Sequence, residues 1–185
     1  MGNTPTEVVY EQWVRSPARL FVPEATYFLT AATCGKEKYF HTAERLSFLL
    51  NELMVQAEVF GWQLQAWAVM QNHYHFVAVA MENPASLEQM IQELHSLTAE
   101  AVNAEDNTDG RGVWCKYEHA CLRNEKSYLA RLHFVHTNPV KHGLISAAED
   151  YRWCSMRWFL SKADSRLRQT VLSSPCDRIS VDADF

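Results

Sequence analysis

Met70-Gln71-Asn72-His73-Tyr74-His75-Phe76-Val77-Ala78-Val79 is the stretch whose reading decides the fold. Its Val, Phe and Tyr content predicts a strand. Strand side chains alternate between faces, so His73 and His75 share one face, roughly 7 Å apart, and Tyr74 takes the other. Two imidazoles on one face can hold a divalent ion, provided a third donor arrives from elsewhere. In a chain with eight histidines such a pair also arises by chance. Two hydrogen-bonded strand histidines are the plain alternative, and the surroundings must decide.

Working outward, Trp62 to Met70 reads as the preceding strand. The short link Gln71-Asn72 predicts a hairpin between the two. Further upstream, Ala25 to Thr33 is a strand by its β-branched and aromatic content. Thr42 is placed to cap a helix in which Leu46, Leu49, Leu50, Leu53, Met54 and Ala57 recur at helical spacing, and Gly61 closes it. Downstream, Asn83-Pro84 breaks the chain. Ser86 then begins a helix with Leu87, Met90, Ile91, Leu94, Leu97 and Val102 on its apolar side. The polar stretch from Asn103 to Gly110 predicts a mobile loop, and Val113 to Leu122 a fourth strand. Asn124 or Ser127 starts a last core helix carrying Tyr128, Leu129, Leu132 and Val135, which Pro139 is expected to end or kink.

The resulting βαββαβ order predicts an α+β fold, a ferredoxin-like split-βαβ sandwich with an antiparallel sheet, followed by C-terminal helices. The expected division is a domain over 18–160, an N-terminal extension over 1–17 and a C-terminal tail over 161–185, polar and expected to be poorly ordered after Lys162.

Composition narrows the function. With 185 residues, 48% of them hydrophobic, the chain suits one globular domain. No apolar run approaches the ~18 residues of a membrane span. The N-terminus lacks the basic and apolar regions of a signal peptide, so the expected location is the cytoplasm, with no membrane partner. The five cysteines show no C-x-x-C spacing and read as reduced thiols. A net charge of −5 argues against a protein that coats duplex DNA, but leaves room for a local basic patch.

The helix before Asn138-Pro139 is the natural cover for the histidine face of the third strand. Phe134 and Asn138 are four residues apart and share a helical face, with Arg131 and Lys141 near the same stripe. The Asn138 amide oxygen would add a hard third ligand to His73 and His75. Two imidazoles and an oxygen donor, with water completing the shell, suit Mg²⁺ or Mn²⁺ beside a phosphate. An asparagine before a proline is also an ordinary turn residue.

These segments together resemble the REP-associated tyrosine transposases, relatives of the insertion-sequence transposases within the HUH superfamily that move single-stranded DNA. The resemblance rests on His73-Tyr74-His75 after a strand and turn, and on the run Leu132-His133-Phe134-Val135-His136-Thr137-Asn138-Pro139-Val140-Lys141-His142-Gly143-Leu144. Arg19-Leu20-Phe21-Val22-Pro23-Glu24-Ala25-Thr26-Tyr27-Phe28 and Glu149-Asp150-Tyr151-Arg152-Trp153-Cys154-Ser155 add to it, so that it spans roughly residues 18 to 160. His-x-His alone is unspecific; the ordered set is not. The resemblance implies DNA binding and DNA recombination. A helix tyrosine attacks a DNA phosphodiester and forms a 5′-phosphotyrosine link. A metal held by His73, His75 and Asn138 would polarise the scissile phosphate. The implied partner is a single-stranded DNA hairpin, recognised by stacking and shape. Arg123, Lys126, Arg131 and Lys141 are the candidate phosphate contacts, and a homodimer is compatible with the related enzymes.

One departure bears on all of this. The nucleophile's position, four residues before Asn138, holds Phe134, which has no hydroxyl. Three explanations stay open: a hairpin-binding protein that has lost cleavage, a deliberate replacement of tyrosine, or another group acting in its place. Tyr128 falls on a different helical face and Tyr74 on the wrong strand face. A metal-dependent nuclease using water is a further alternative. His133, His136 and His119 read as surface or supporting residues.

Overall fold

The structure is a computed structural model that describes residues 21–176. The expected N-terminal extension, Arg19 and Leu20 of the resemblance, and the last nine positions lie outside the described residues.

The elements follow the expected order. β1 (Thr26–Thr33) leads to α1 (Ala43–Val59), then β2 (Trp62–Val69), β3 (His73–Ala80), α2 (Leu87–Glu105), β4 (Trp114–Cys121) and α3 (Glu125–Lys141). The sheet order is β2-β3-β1-β4, with every neighbour antiparallel. This is the split-βαβ sandwich, with β3 in the sheet interior and buried along its whole length. Local chemistry sets the boundaries. The Thr42 hydroxyl accepts from the Arg45 amide to cap α1, and the Asn124 side chain accepts from the Ser127 amide to cap α3. Gly61, at φ 71°, takes the left-handed conformation that ends α1.

Alternation along β3 sorts the molecule into two faces. Tyr74 meets His95 of α2, which packs in turn on α1. His75 meets Phe134 of α3 on the other side.

Four expectations need correction. Pro139 does not end α3 at its own position; the helix runs on to Lys141. Proline leaves the Val135 carbonyl without its helical donor. The Cys154 thiol lies 3.9 Å from that oxygen and donates to the His136 carbonyl at 3.3 Å. Second, Cys34 and Cys115 are joined in a disulfide rather than reduced, because β1 pairs with β4 and brings them together across 81 residues. Third, α2 extends to Glu105, and the polar stretch after it is pinned: Asp106 pairs with both Arg45 and Arg111. Fourth, the tail beyond 160 is not all irregular. α4 (Met156–Lys162) is followed by α5 (Ser165–Leu172), which buries Leu167 and Val171 and packs on α3. These two residues are one turn apart and make an apolar stripe.

Candidate metal centre

The site lies between β3 and α3. His73 and His75 are 4% and 2% exposed and share the α3 face of the sheet, as the alternation predicts. The amide of Asn72 sets the tautomer of His73. Asn72 Nδ2 donates to the Lys36 carbonyl at 3.2 Å, which leaves Oδ1 to accept from His73 Nδ1–H at 2.8 Å. The lone pair of His73 is therefore on Nε2, the arrangement a metal-ligating histidine needs.

That Nε2 lies 3.2 Å from Nε2 of His142, the residue that caps the C-terminus of α3. One ligand atom from each of His73, His75 and His142 falls within 4.8 Å of the others. Burial pushes His73 down to about 3, helped by His142, and holds His75 well below the usual histidine range, helped by His73 and His142. Burial also lowers His142. Burial thus favours the neutral form of each, in which one ring nitrogen carries a lone pair.

Two buried polar atoms here have no hydrogen-bond partner: Nδ1 of His75 and Oδ1 of Asn138. Leaving a buried acceptor unmatched costs about 1–3 kcal/mol. Such a cost is accepted where a ligand or ion will meet the atom. The residues thus fit a bound divalent cation.

Phe134 lies where the sequence places it, against the histidines. Its ring is 5.3 Å from that of His75 and 5.9 Å from that of Phe28, and Lys141 Nζ sits 4.8 Å from its centroid. Arg131 lies over Phe28 at 5.5 Å, donates from Nη1 to Ser127, and keeps its Nε buried without a hydrogen bond. Arg131 and Lys141 therefore flank the site. Arg123 and Lys126 are exposed at the opposite end of α3, with Lys126 about 18 Å from Asn138 along the helix at ~1.5 Å per residue. They do not join the cluster.

The remaining candidates fall elsewhere. Tyr74 donates to or accepts from His95 at 2.9 Å on the far face, and Tyr128 stacks on Phe21. His133 Nδ1 bonds the Ser174 carbonyl, His136 is buried against the Ser155 hydroxyl, and His119 pairs opposite Leu29 on the far face. His142 is the member that sequence reasoning did not single out. The available signal was its spacing, four residues beyond Asn138 on the same helix.

Fold and site together define an α+β sandwich with a histidine-rich centre between its sheet and its last core helix. Comparison bears out the resemblance to the REP-associated tyrosine transposases. The chain is 23% identical over 135 residues to the REP-associated tyrosine transposase of Escherichia coli (strain K12), covering 72% of this chain and 77% of that one. It is also similar to the solved structure of a REP-associated tyrosine transposase bound to a REP hairpin. There the TM-score is 0.62 at 17% identity, over 78% of this chain and 84% of the other. No family model matches the chain.

Proposed function

We propose that this chain binds single-stranded DNA hairpins on the face where α3 crosses β3, with a divalent metal held by His73, His75 and Asn138, and that it forms no phosphotyrosine link there. The observation that carries this reading is Phe134. It packs against His75, one helical turn before Asn138 and its orphaned oxygen, with the right ring and no hydroxyl. A hydrocarbon edge cannot attack phosphorus. The solved relative bound to a hairpin supports the choice of partner. Arg131 and Lys141 are the side chains best placed to meet backbone phosphates, and the reading needs no basic surface overall.

The test compares the unmodified protein with Phe134→Tyr on labelled hairpin oligonucleotides taken from sequence flanking its gene. Fluorescence anisotropy reads binding, and a denaturing gel reads strand cleavage and adduct. Both proteins should bind, and only the tyrosine variant should form a covalent adduct. Cleavage by the unmodified protein without an adduct would replace this reading with a water-using nuclease. Failure of both to bind any hairpin would remove the DNA reading.

A further inference from the structure

We infer that His142 is itself a ligand of the metal centre. The site then offers three imidazole nitrogens and the Asn138 amide oxygen, and takes a nitrogen-preferring ion such as Zn²⁺ ahead of Mg²⁺. This rests on the metal-centre part of the reading above and is independent of the DNA part.

The first argument is distance. Two nitrogens bound to one ion at ~2.0–2.1 Å stand about 2.8–3.4 Å apart, for angles between octahedral and tetrahedral. The Nε2 atoms of His73 and His142 are 3.2 Å apart. The second is proton placement. Asn72 takes the Nδ1–H of His73, so its Nε2 faces His142 as a bare lone pair. Without an ion, His142 must supply the proton of the His73–His142 contact; with one, both lone pairs meet it.

The third argument is how His142 is held. Gly143, at φ 66°, ends α3 in the left-handed conformation. Its amide donates to the Val140 carbonyl and the Leu144 amide to that of Pro139, the paired bonds of a Schellman end. The cap fixes where the imidazole leaves the helix. Along α3, Phe134 lies against His75 and His142 against His73. Asn138 stands one turn from each, and its Oδ1 is buried and unmatched. Three imidazole nitrogens are thus gathered around one point, with Asn138 on the same helical stripe. The separations reach 4.8 Å, while opposite ligands of one ion span about 4.2 Å, so binding draws the set together by roughly half an ångström. His142 is the exposed member and can make that shift. A pocket of about 200 Å³ opens beside His73 and His142 and admits the ion from solvent.

Donor chemistry sets the selectivity. Imidazole suits Zn²⁺, Co²⁺ and Ni²⁺, while Mg²⁺ prefers oxygen and gives up its water reluctantly. A pair of histidines with one oxygen would leave the choice open; a third nitrogen weights it.

The test is titration of the metal-free protein with Co²⁺, by calorimetry and visible absorption, without DNA. His142→Ala, His142→Gln and the control His133→Ala are compared, and circular dichroism checks each fold. Unmodified protein and His133→Ala should share one affinity and one spectrum, which excess Mg²⁺ does not displace and Zn²⁺ does. Both His142 variants should lose at least about tenfold in affinity, the loss that even a change outside the ligand set produces, and their cobalt bands should change in position and intensity. Unchanged affinity and spectrum in the folded variants would reduce His142 to a hydrogen-bond partner of His73 and overturn the inference. Loss of hairpin binding with a His142-dependent cobalt site would sink the DNA reading and leave this one standing.

Discussion

The two faces of the sheet both pack against histidines, and they treat them oppositely. On the α1/α2 face, His95 stacks on Trp114 with ring centroids 4.5 Å apart, and its Nε2 is bonded to the Tyr74 hydroxyl at 2.9 Å. Trp114 in turn donates to the Thr98 hydroxyl. On the α3 face, His73 and His75 pack as tightly, yet Nδ1 of His75 and Oδ1 of Asn138 are left without partners. Burial pushes His95 and His73 alike down to about 3. A shifted histidine therefore does not distinguish a structural network from a site. What separates the α3 face is that its unmatched atoms, on His75 and Asn138, accompany a cluster of three histidine nitrogens within 4.8 Å of one another.

The largest effect that would sharpen this contrast is on metal affinity. His75→Ala should lower Co²⁺ affinity by about a hundredfold or more, beyond the range for residues outside the ligand set. His95→Ala, on the other face and likewise lowered by burial, should leave it unchanged. Calorimetry on both variants decides; equal losses would erase the distinction between the faces.

Acid tests what the faces share. Folding lowers His73, His95 and His136 from 6.5 to about 3, in each case chiefly by burial. Between those values the unfolded chain binds more protons than the folded one. Their contribution is fully present above pH 6.5 and is lost as pH falls toward 3, by at most ~1.4 kcal/mol per pH unit for each histidine. Urea midpoints of the metal-free protein should be level near pH 7.5 and fall from about pH 6.5 to 4.5, less steeply in His95→Gln. A flat profile would mean that these histidines are not buried neutral.

The smallest effect concerns the satisfied face alone. Tyr74→Phe removes the hydroxyl and strands His95 Nε2, which should cost about 1–3 kcal/mol in urea unfolding. It should leave cobalt binding at the other face intact.

Much of this was legible locally. Alternation along β3 assigns His73 and His75 to one face and Tyr74 to the other, because the side-chain period of a strand is two. The apolar spacing from Leu46 to Ala57 and the caps at Thr42 and Asn124 delimit helices for reasons confined to a few residues. The position of Phe134, one turn before Asn138, follows from helical period alone. The polar stretch near Asp106 and the segment beyond Lys162 were misread because their order comes from distant partners: Arg45 in one case, the surface of α3 in the other.

By itself, then, the sequence determined the βαββαβ order, the two-histidine face, the Asn138 stripe and the missing hydroxyl, since each depends on the periods of strand and helix. Only the tertiary structure decided that His142 joins His73 across 69 residues, that Cys34 meets Cys115 across 81, and that Asn72 orients His73 from a loop anchored at Lys36. Those contacts arise from strand order and from the docking of α3 on the sheet. They are set by the burial of the whole core and leave no periodic trace in the residues that make them.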